Sequence, residues 1–382
     1  MKKRLLNQKT VFIFYSFIAI IIALQQYFIG QYNNFIIFRE AVFHFFEHKN
    51  LYLEYPDKFF DVFLYNPSFA IFFIPFAYLP IMIGMILWTL FVTLTYYKSI
   101  ISLDFKTNEK IFLLYLIIPE LNTSIGNLQT NPLIVAFIIF TMVSVEKNKM
   151  QKASFYSAIN FFIKGYGGIG YVFFLFKKFR IKTYLTILAS FIIIFSLPLL
   201  FYSLSEFLIL YKQWFWSLKQ DYSINTGVSI MGIIKSLIYK EASIPLIQLV
   251  GIFVMLSAII KILINNNYEN IKHIFLANIL IWVIIFNQAS ESPTYIIAST
   301  GVFIWFLKTP KSWTSILLFS IFYILTVLSP TDIFPTYIRE HFVKPYSLKA
   351  LPCVLIWVFI QFQIFFPNLK SKLIIIWNKR LI

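Results

Sequence analysis

The amino-acid sequence predicts an all-α integral membrane protein: a polytopic bundle of about 12 transmembrane helices, with further helices lying on the outer interface. Three observations lead there. Hydrophobic residues fill 59% of the 382 positions and charged residues only 13%, and the mean hydropathy is +0.76; a soluble domain carries roughly 25% charged residues. Apolar runs of span length recur at 11–29, 183–202 and 244–264, where about 20 residues are needed to cross a hydrocarbon core of about 30 Å. The basic residues fall in blocks that alternate with those runs.

That alternation sets an orientation. With the start inside, segments 1–10, 98–110, 146–152, 177–182, 261–273, 308–311 and 367–382 hold 22 Lys and Arg in 69 residues. Segments 30–67, 122–130, 202–243, 290–293 and 330–349 hold 10 in 113. Such a bias places the basic loops in the cytoplasm, so a multi-pass cell-membrane protein with both termini cytoplasmic is expected. The net charge of +17 is then a topological signal, and no nucleic-acid partner is implied. Eleven of the sixteen carboxylates lie in the outer segments and four in the inner ones. Solvation of long loops explains most of them; chemistry is the alternative.

The chain reads as a single polytopic domain over 1–382. The expected crossings are 11–29, 68–97, 111–121, 131–145, 153–164, 166–177, 183–201, 244–264, 274–290, 294–307, 314–329 and 350–366. The first lacks a small-residue cleavage site and is expected to stay as a helix. Stretch 68–97 contains Pro75 and Pro80 and reads as one kinked helix or two pieces. As α-helices, 153–164 and 166–177 would each reach about 18 Å, too short to cross unaided. Three outer loops are long: 30–67, 202–243 and 330–349. The first holds an amphipathic stretch, Phe35–His48; the second holds Glu206–Lys219 with Trp214 and Trp216, an interfacial helix.

Several chemistries are disfavoured. Cys353 is the single cysteine, so neither a disulfide nor a cysteine metal site is expected. The histidines His44, His48, His273 and His341 are scattered; His44 and His48 share i,i+4 spacing, which a wet interfacial helix face explains better than a metal. The sequence lacks a phosphate-binding GxxxxGK[ST] loop and an HExxH motif. No metal and no cofactor are expected.

The polar interval 34–80 is where chemistry is expected, as a loop folded back on the membrane surface. Asp61 follows Phe59-Phe60 and precedes Tyr65-Asn66-Pro67 at the membrane entry. A carboxylate held among aromatics gains proton affinity and suits a general base; a solvated loop acid is the alternative. Glu291 lies in a short turn between two spans on the same expected face, where an acid near hydrocarbon is costly unless used or paired. Lys164 stands between two short apolar pieces, before Gly165-Tyr166-Gly167-Gly168 and away from the other basic clusters. Its ammonium and nearby backbone N–H groups could hold a phosphate; a snorkelling lysine is the alternative.

A family resemblance joins these residues. Asn34-Phe35…Phe38…Ala41, Leu51-Tyr52, Asp61, Tyr65…Pro67…Phe69-Ala70, Pro75…Ala77…Leu79-Pro80 and Trp88 resemble the opening of glycosyltransferase family 87. Gln129…Asn131…Leu133, Ile163-Lys164, Trp214…Asn225…Ser229…Gly232 and Ser292-Pro293 continue it, in order, from 11 to about 310. The resemblance implies a GT-C-type bundle and a hexosyltransferase that takes a hexose, mannose being the family's sugar, from a polyprenyl-phosphate donor in the bilayer. It implies a glycan or glycolipid acceptor on the extracytoplasmic face. Asp61 and then Glu291 would be the base, and Lys164 or Arg39 would face the donor phosphate. Asn34, Tyr65, Gln129 and Asn131 would line the substrate. Two departures stand out: the family's opening Asp-Phe is Asn34-Phe35, and Thr294 follows the late Ser-Pro where a His is common. A lipid-linked sugar flippase and a non-catalytic envelope-assembly partner remain as alternatives.

Overall fold

The computed structural model describes residues 7–178, 180–221 and 226–366, which form helices and turns with no strand among them. The basic ends 1–6 and 367–382 and the motif residue Asn225 lie outside the described residues. Where the sequence reads as one domain, the chain makes two compact units, Met1–Asn225 and Thr226–Ile382.

The first unit opens with α1 (Gln8–Phe28), α2 (Asn33–Phe46), α3 (Pro67–Ala77), α4 (Ile81–Ser102), α5 (Thr107–Leu116) and α6 (Ile118–Gly126). It continues with α7 (Asn131–Glu146), α8 (Met150–Ile163), a 3₁₀ segment at Gly165–Phe176, α9 (Ile181–Phe195) and α10 (Leu204–Asp221). Proline sets the breaks. The stretch 68–97 is two helices, because Pro80 caps the start of α4 and has no N–H to continue α3. The expected single crossing at 111–121 divides at Ile117, just before Pro119.

The core of this unit is aromatic. Trp88 of α4 is fully buried and meets Phe73, Phe76 and Phe38 nearly edge-on, with ring centroids 5.0, 5.2 and 6.1 Å away. Such pairs add about 0.5–1.5 kcal/mol each beyond the area they bury. Helices α3 and α4 close tightly at Gly84, where a Cβ would sit 2.6 Å from the Phe76 carbonyl oxygen. Two buried hydroxyls bond to neighbouring helix backbones, a contact suited to an apolar surrounding: Tyr15 Oη donates to the Leu114 carbonyl at 2.5 Å and Thr89 Oγ1 to that of Ala19 at 3.1 Å.

Two expectations are corrected here. The piece 166–177 is not α-helical: twelve residues, Gly165–Phe176, wind as a 3₁₀ helix, whose rise of about 2.0 Å per residue carries it about 24 Å rather than 18 Å. His44 does not lie on a wet face. It is 2% exposed, its ring 4.1 Å from that of Tyr55. Burial lowers its pKa, Lys58 acts in the same direction, and Glu40 and Glu47 oppose them. His48, past the end of α2, does stay exposed and pairs with Glu206 at 3.2 Å.

The second unit holds α11 (Ile230–Leu237), α12 (Ile244–Ile264), α13 (Tyr268–Ile285), α14 (Tyr295–Lys308), α15 (Trp313–Phe322, running on as a π-helical turn to Leu328) and α16 (Leu351–Phe365). Its centre includes a buried amide pair, Gln361 Nε2 donating to Asn278 Oδ1 at 2.6 Å. Trp282 Nε1 donates to the Gly251 carbonyl at 2.9 Å and ties α13 to α12.

Among the described residues four helices are long and apolar enough to cross a membrane: Gln8–Phe28, Ile81–Ser102, Ile244–Ile264 and Tyr268–Ile285. The expectation of about 12 spans counts shorter apolar helices as well.

Candidate functional site

The turn Asn127–Asn131 joins α6 to α7 and collects most of the polar residues singled out in the sequence. Leu128 takes φ 54°, a left-handed conformation uncommon for a side chain of its size. Its carbonyl is held by Trp88 Nε1 at 2.9 Å, so the aromatic core itself fixes the turn. Thr130 and Asn131 are fully buried. Asn131 Nδ2 donates to Gln129 Oε1 at 2.5 Å, and its Oδ1 accepts from Lys164 Nζ at 3.1 Å.

Lys164 reaches the turn because α8 stops there. Its backbone is extended, φ −142° and ψ 124°, between the end of α8 and the 3₁₀ segment. Asn160 fastens the break: its Nδ2 donates to the carbonyls of Ile134 and Gly167, both at 3.1 Å. The approach is so close that a Cβ on Gly167 would lie 2.6 Å from the Asn160 carbonyl oxygen. The Lys164 ammonium faces the Tyr65 ring at 5.6 Å and the Tyr166 ring at 6.0 Å, within range of a cation–π attraction.

Tyr65 arrives from the other side. Asn66 caps α3, its Oδ1 accepting from Ser68 N at 2.9 Å, with Pro67 in the first turn. Helix α10 packs over this entry: Trp214 Nε1 donates to the Leu64 carbonyl at 3.1 Å and Tyr211 Oη to that of Phe195 at 2.8 Å. Tyr65 Oη meets Thr130 Oγ1 at 3.2 Å. Lys164, Asn131, Gln129 and Tyr65, from three separate stretches of chain, thus share one cluster. A half-buried ammonium set among amides and phenols suits an anionic oxygen through charge-assisted hydrogen bonds.

Asn34 and Asp61 stand outside this cluster's side-chain bonds. Asn34 Nδ2 donates to the Asn127 carbonyl at 2.8 Å, a bond that an ionised Asp could not make. Asn33, which sequence reading passed over, clamps the Phe60 backbone through both amide atoms, at 2.7 and 2.9 Å. That clamp turns Asp61 outward: it is exposed, with φ 76°, and its Oδ1 accepts from Val62 N at 2.8 Å. The aromatic enclosure expected around Asp61 is therefore not formed; Phe60 is itself 80% exposed.

Arg39 is placed elsewhere. Its Nε donates to the Ala77 carbonyl at 2.8 Å and its guanidinium lies over Phe43. Ala77 ends α3, whose start follows Tyr65 by two residues, and the eleven residues of that helix span about 16 Å.

Glu291 belongs to the second unit. It is exposed and begins the turn into α14; its N–H donates to Thr294 Oγ1 at 3.1 Å. Beside it is Lys349, also absent from the sequence-derived set. Lys349 is 4% exposed, donates to Ser292 Oγ at 2.9 Å and lies 5.1 Å from the Tyr295 ring. Its signal was a lysine at the edge of the apolar run 350–366, on the face where cations are scarce.

The fold and this cluster define a helical membrane protein carrying a cation at a broken helix. The family model of glycosyltransferase family 87 matches residues 63–286, more than half of the 382, and the chain belongs to that family. The match is narrower than the resemblance read from 11 to about 310: it takes in Tyr65, Gln129, Asn131 and Lys164, begins just after Asp61 and ends just before Glu291. No curated protein matches the chain.

The break that presents Lys164 is testable by size. Gly167→Ala should lower thermal stability in detergent by about 1–3 kcal/mol, the usual cost of overpacking. Gly165→Ala, whose Cβ would meet nothing within 4 Å, should be near neutral. Equal melting temperatures for the two variants would remove the steric account of the break.

Proposed function

We propose that this glycosyltransferase is of the GT-C type and moves a hexose from a polyprenyl-phosphate donor to a hydroxyl of a glycan or glycolipid on the extracytoplasmic face. The observation that carries the reading is the delivery of Lys164 to the Gln129–Asn131 turn beside Tyr65. In this scheme the acceptor oxygen attacks the anomeric carbon, the bond from that carbon to the phosphate oxygen breaks, and polyprenyl phosphate leaves. Its developing charge is the largest in the transition state and is met by Lys164 with Asn131 and Gln129 in support. Tyr65 and Asn34 border the sugar. A carboxylate, Asp61 first and Glu291 second, takes the acceptor's proton. Arg39 falls to a secondary place at the phosphate, since it is engaged at the far end of α3. The exposure of Asp61 suits an acceptor that comes from water while the donor comes from lipid.

The positive-inside bias supplies the orientation. Cysteines placed one at a time at Lys49, Lys212 and Lys344 should react with an impermeant thiol reagent in intact cells, and one at Lys149 should not; the native Cys353 is buried. The reverse pattern would invert the proposed topology.

Donor use is tested with radiolabelled polyprenyl-phosphate hexoses and purified protein. Lys164→Ala should lose about ten- to a hundredfold in donor-dependent turnover, the worth of a hydrogen bond to a charged group, about 1.5–3 kcal/mol. Unchanged donor dependence would return Lys164 to a structural lysine.

For the base, Asp61→Asn should lose about 10²–10⁴ in turnover with donor binding little changed, and Glu291→Gln should lose less. The opposite order would make Glu291 the base. Full activity in both would exclude general-base catalysis by either, and no transfer by the wild type from any donor would favour the flippase or assembly readings.

A further inference from the structure

Residues 53–61 form a strap that runs back along α2, between Tyr52 and Phe63, which are buried at 3 and 1% exposure. Three contacts hold it: the Tyr55 ring lies 4.1 Å from that of His44, Lys58 pairs with Glu40, and the Phe60 backbone is clamped by the Asn33 amide. Positions 44, 40 and 33 share one face of a helix, so the strap lies antiparallel to α2 and leaves Asp61 near its start. The Lys58 and Phe59 amides donate to the Tyr55 carbonyl at 2.9 and 3.0 Å, closing one turn on the residue that covers His44.

His44 is built to stay neutral. Its ring is buried, and its Nδ1 has no hydrogen-bond partner among the described residues. Its Nε2 is 3.9 Å from Glu40 Oε2, past hydrogen-bond reach. The charged groups around it are Glu40 and Glu47 of α2, Lys49 just beyond, and Lys58 of the strap, with the Tyr55 phenol over the ring. Both carboxylates are already taken, Glu40 by Lys58 and Glu47 by Lys49 at 2.6 Å. Both nitrogens of an imidazolium are donors, and neither an acceptor within reach nor a spare negative charge awaits them. The Tyr55 ring face attracts a cation, which lessens the cost without supplying an acceptor. We propose that His44 is a proton-operated latch: charging its imidazole lifts the strap from α2, and Asp61 with it. The sign follows from the surroundings. Burial first and Lys58 next hold the imidazole of the closed strap below its ordinary pKa, against Glu40 and Glu47. Once free it returns to about 6.5, so the open form binds the proton more readily and acid favours opening. That this regulates catalysis rests on Asp61 as the base proposed above.

The experiment is amide hydrogen exchange of the full-length protein in detergent, read by mass spectrometry, with the intrinsic pH dependence of exchange divided out. Protection of the amides of Lys58, Phe59 and Phe60 should fall by up to about tenfold from about pH 7.5 to about pH 5.5, the ceiling for one proton on a group of pKa about 6.5. The Leu128 amide, bonded to the Ile125 carbonyl, should keep its protection. His44→Gln should abolish the fall. His48→Gln should preserve it, since His48 pairs with Glu206 and faces Tyr202. Lys58→Gln frees Glu40 to receive the imidazolium and should shrink it. Equal protection at the two pH values in the wild type would overturn the latch, as would a fall that survives His44→Gln or vanishes with His48→Gln. Should His44→Gln leave the strap unprotected even at the higher pH, Lys58→Gln decides: a smaller fall supports the latch and an unchanged one overturns it. Exchange needs no turnover, so a flat profile removes the latch and leaves Asp61 as the base. Turnover indifferent to Asp61→Asn removes the base and leaves the latch.

Discussion

The hydrogen bond from Trp88 to the Leu128 carbonyl is the constraint on which the first unit's polar region rests. Without it a large residue would have little reason to stay left-handed inside an apolar core. With it, the carbonyls and side chains of Asn127–Asn131 point in fixed directions. From that one turn run the bonds to Asn34, to Tyr65 and to Lys164. Low dielectric strengthens each of them and makes each costly to leave unmade. The cluster is therefore as rigid as the aromatic packing around Trp88 beneath it.

Much of this was legible in the sequence, for definite reasons. Apolar runs bounded by charge located the helices, and the isolated lysine before glycines marked the break at Lys164. Tyr65, Gln129 and Asn131 were singled out with it, and the fold brings the four together. What stayed hidden is the sidedness of each helix. Lipid and protein interior are equally apolar, so Leu188 at 55% exposure and Ile139 at 0% look alike in composition. For the same reason His44 read as wet: its polarity suggested water, while the Tyr55 ring that covers it comes from a loop beyond the helix. Asn33 was invisible because its work is done on a backbone 27 residues away.

Asp61 illustrates a different limit. Asp61 was placed among aromatics because Phe59 and Phe60 precede it, but the chain bends at Phe60 and Asp61, where φ of Asp61 is 76°, and adjacent side chains part there. Phe59 goes inward, at 5% exposure, and Phe60 outward. Short-range pattern fixed which residues are near the site and not which way they look.

The 3₁₀ segment after Lys164 carries one more implication. Residues three apart in such a helix lie directly above one another, so Gly167 and Gly170 form a single bare edge. That edge rests on Asn160, Ser157 and Thr141. Adding or removing one residue upstream would rotate the helix by a third of a turn and bring side chains where only glycine fits. Evolution can therefore lengthen or shorten this stretch without remodelling its neighbours only in units of three.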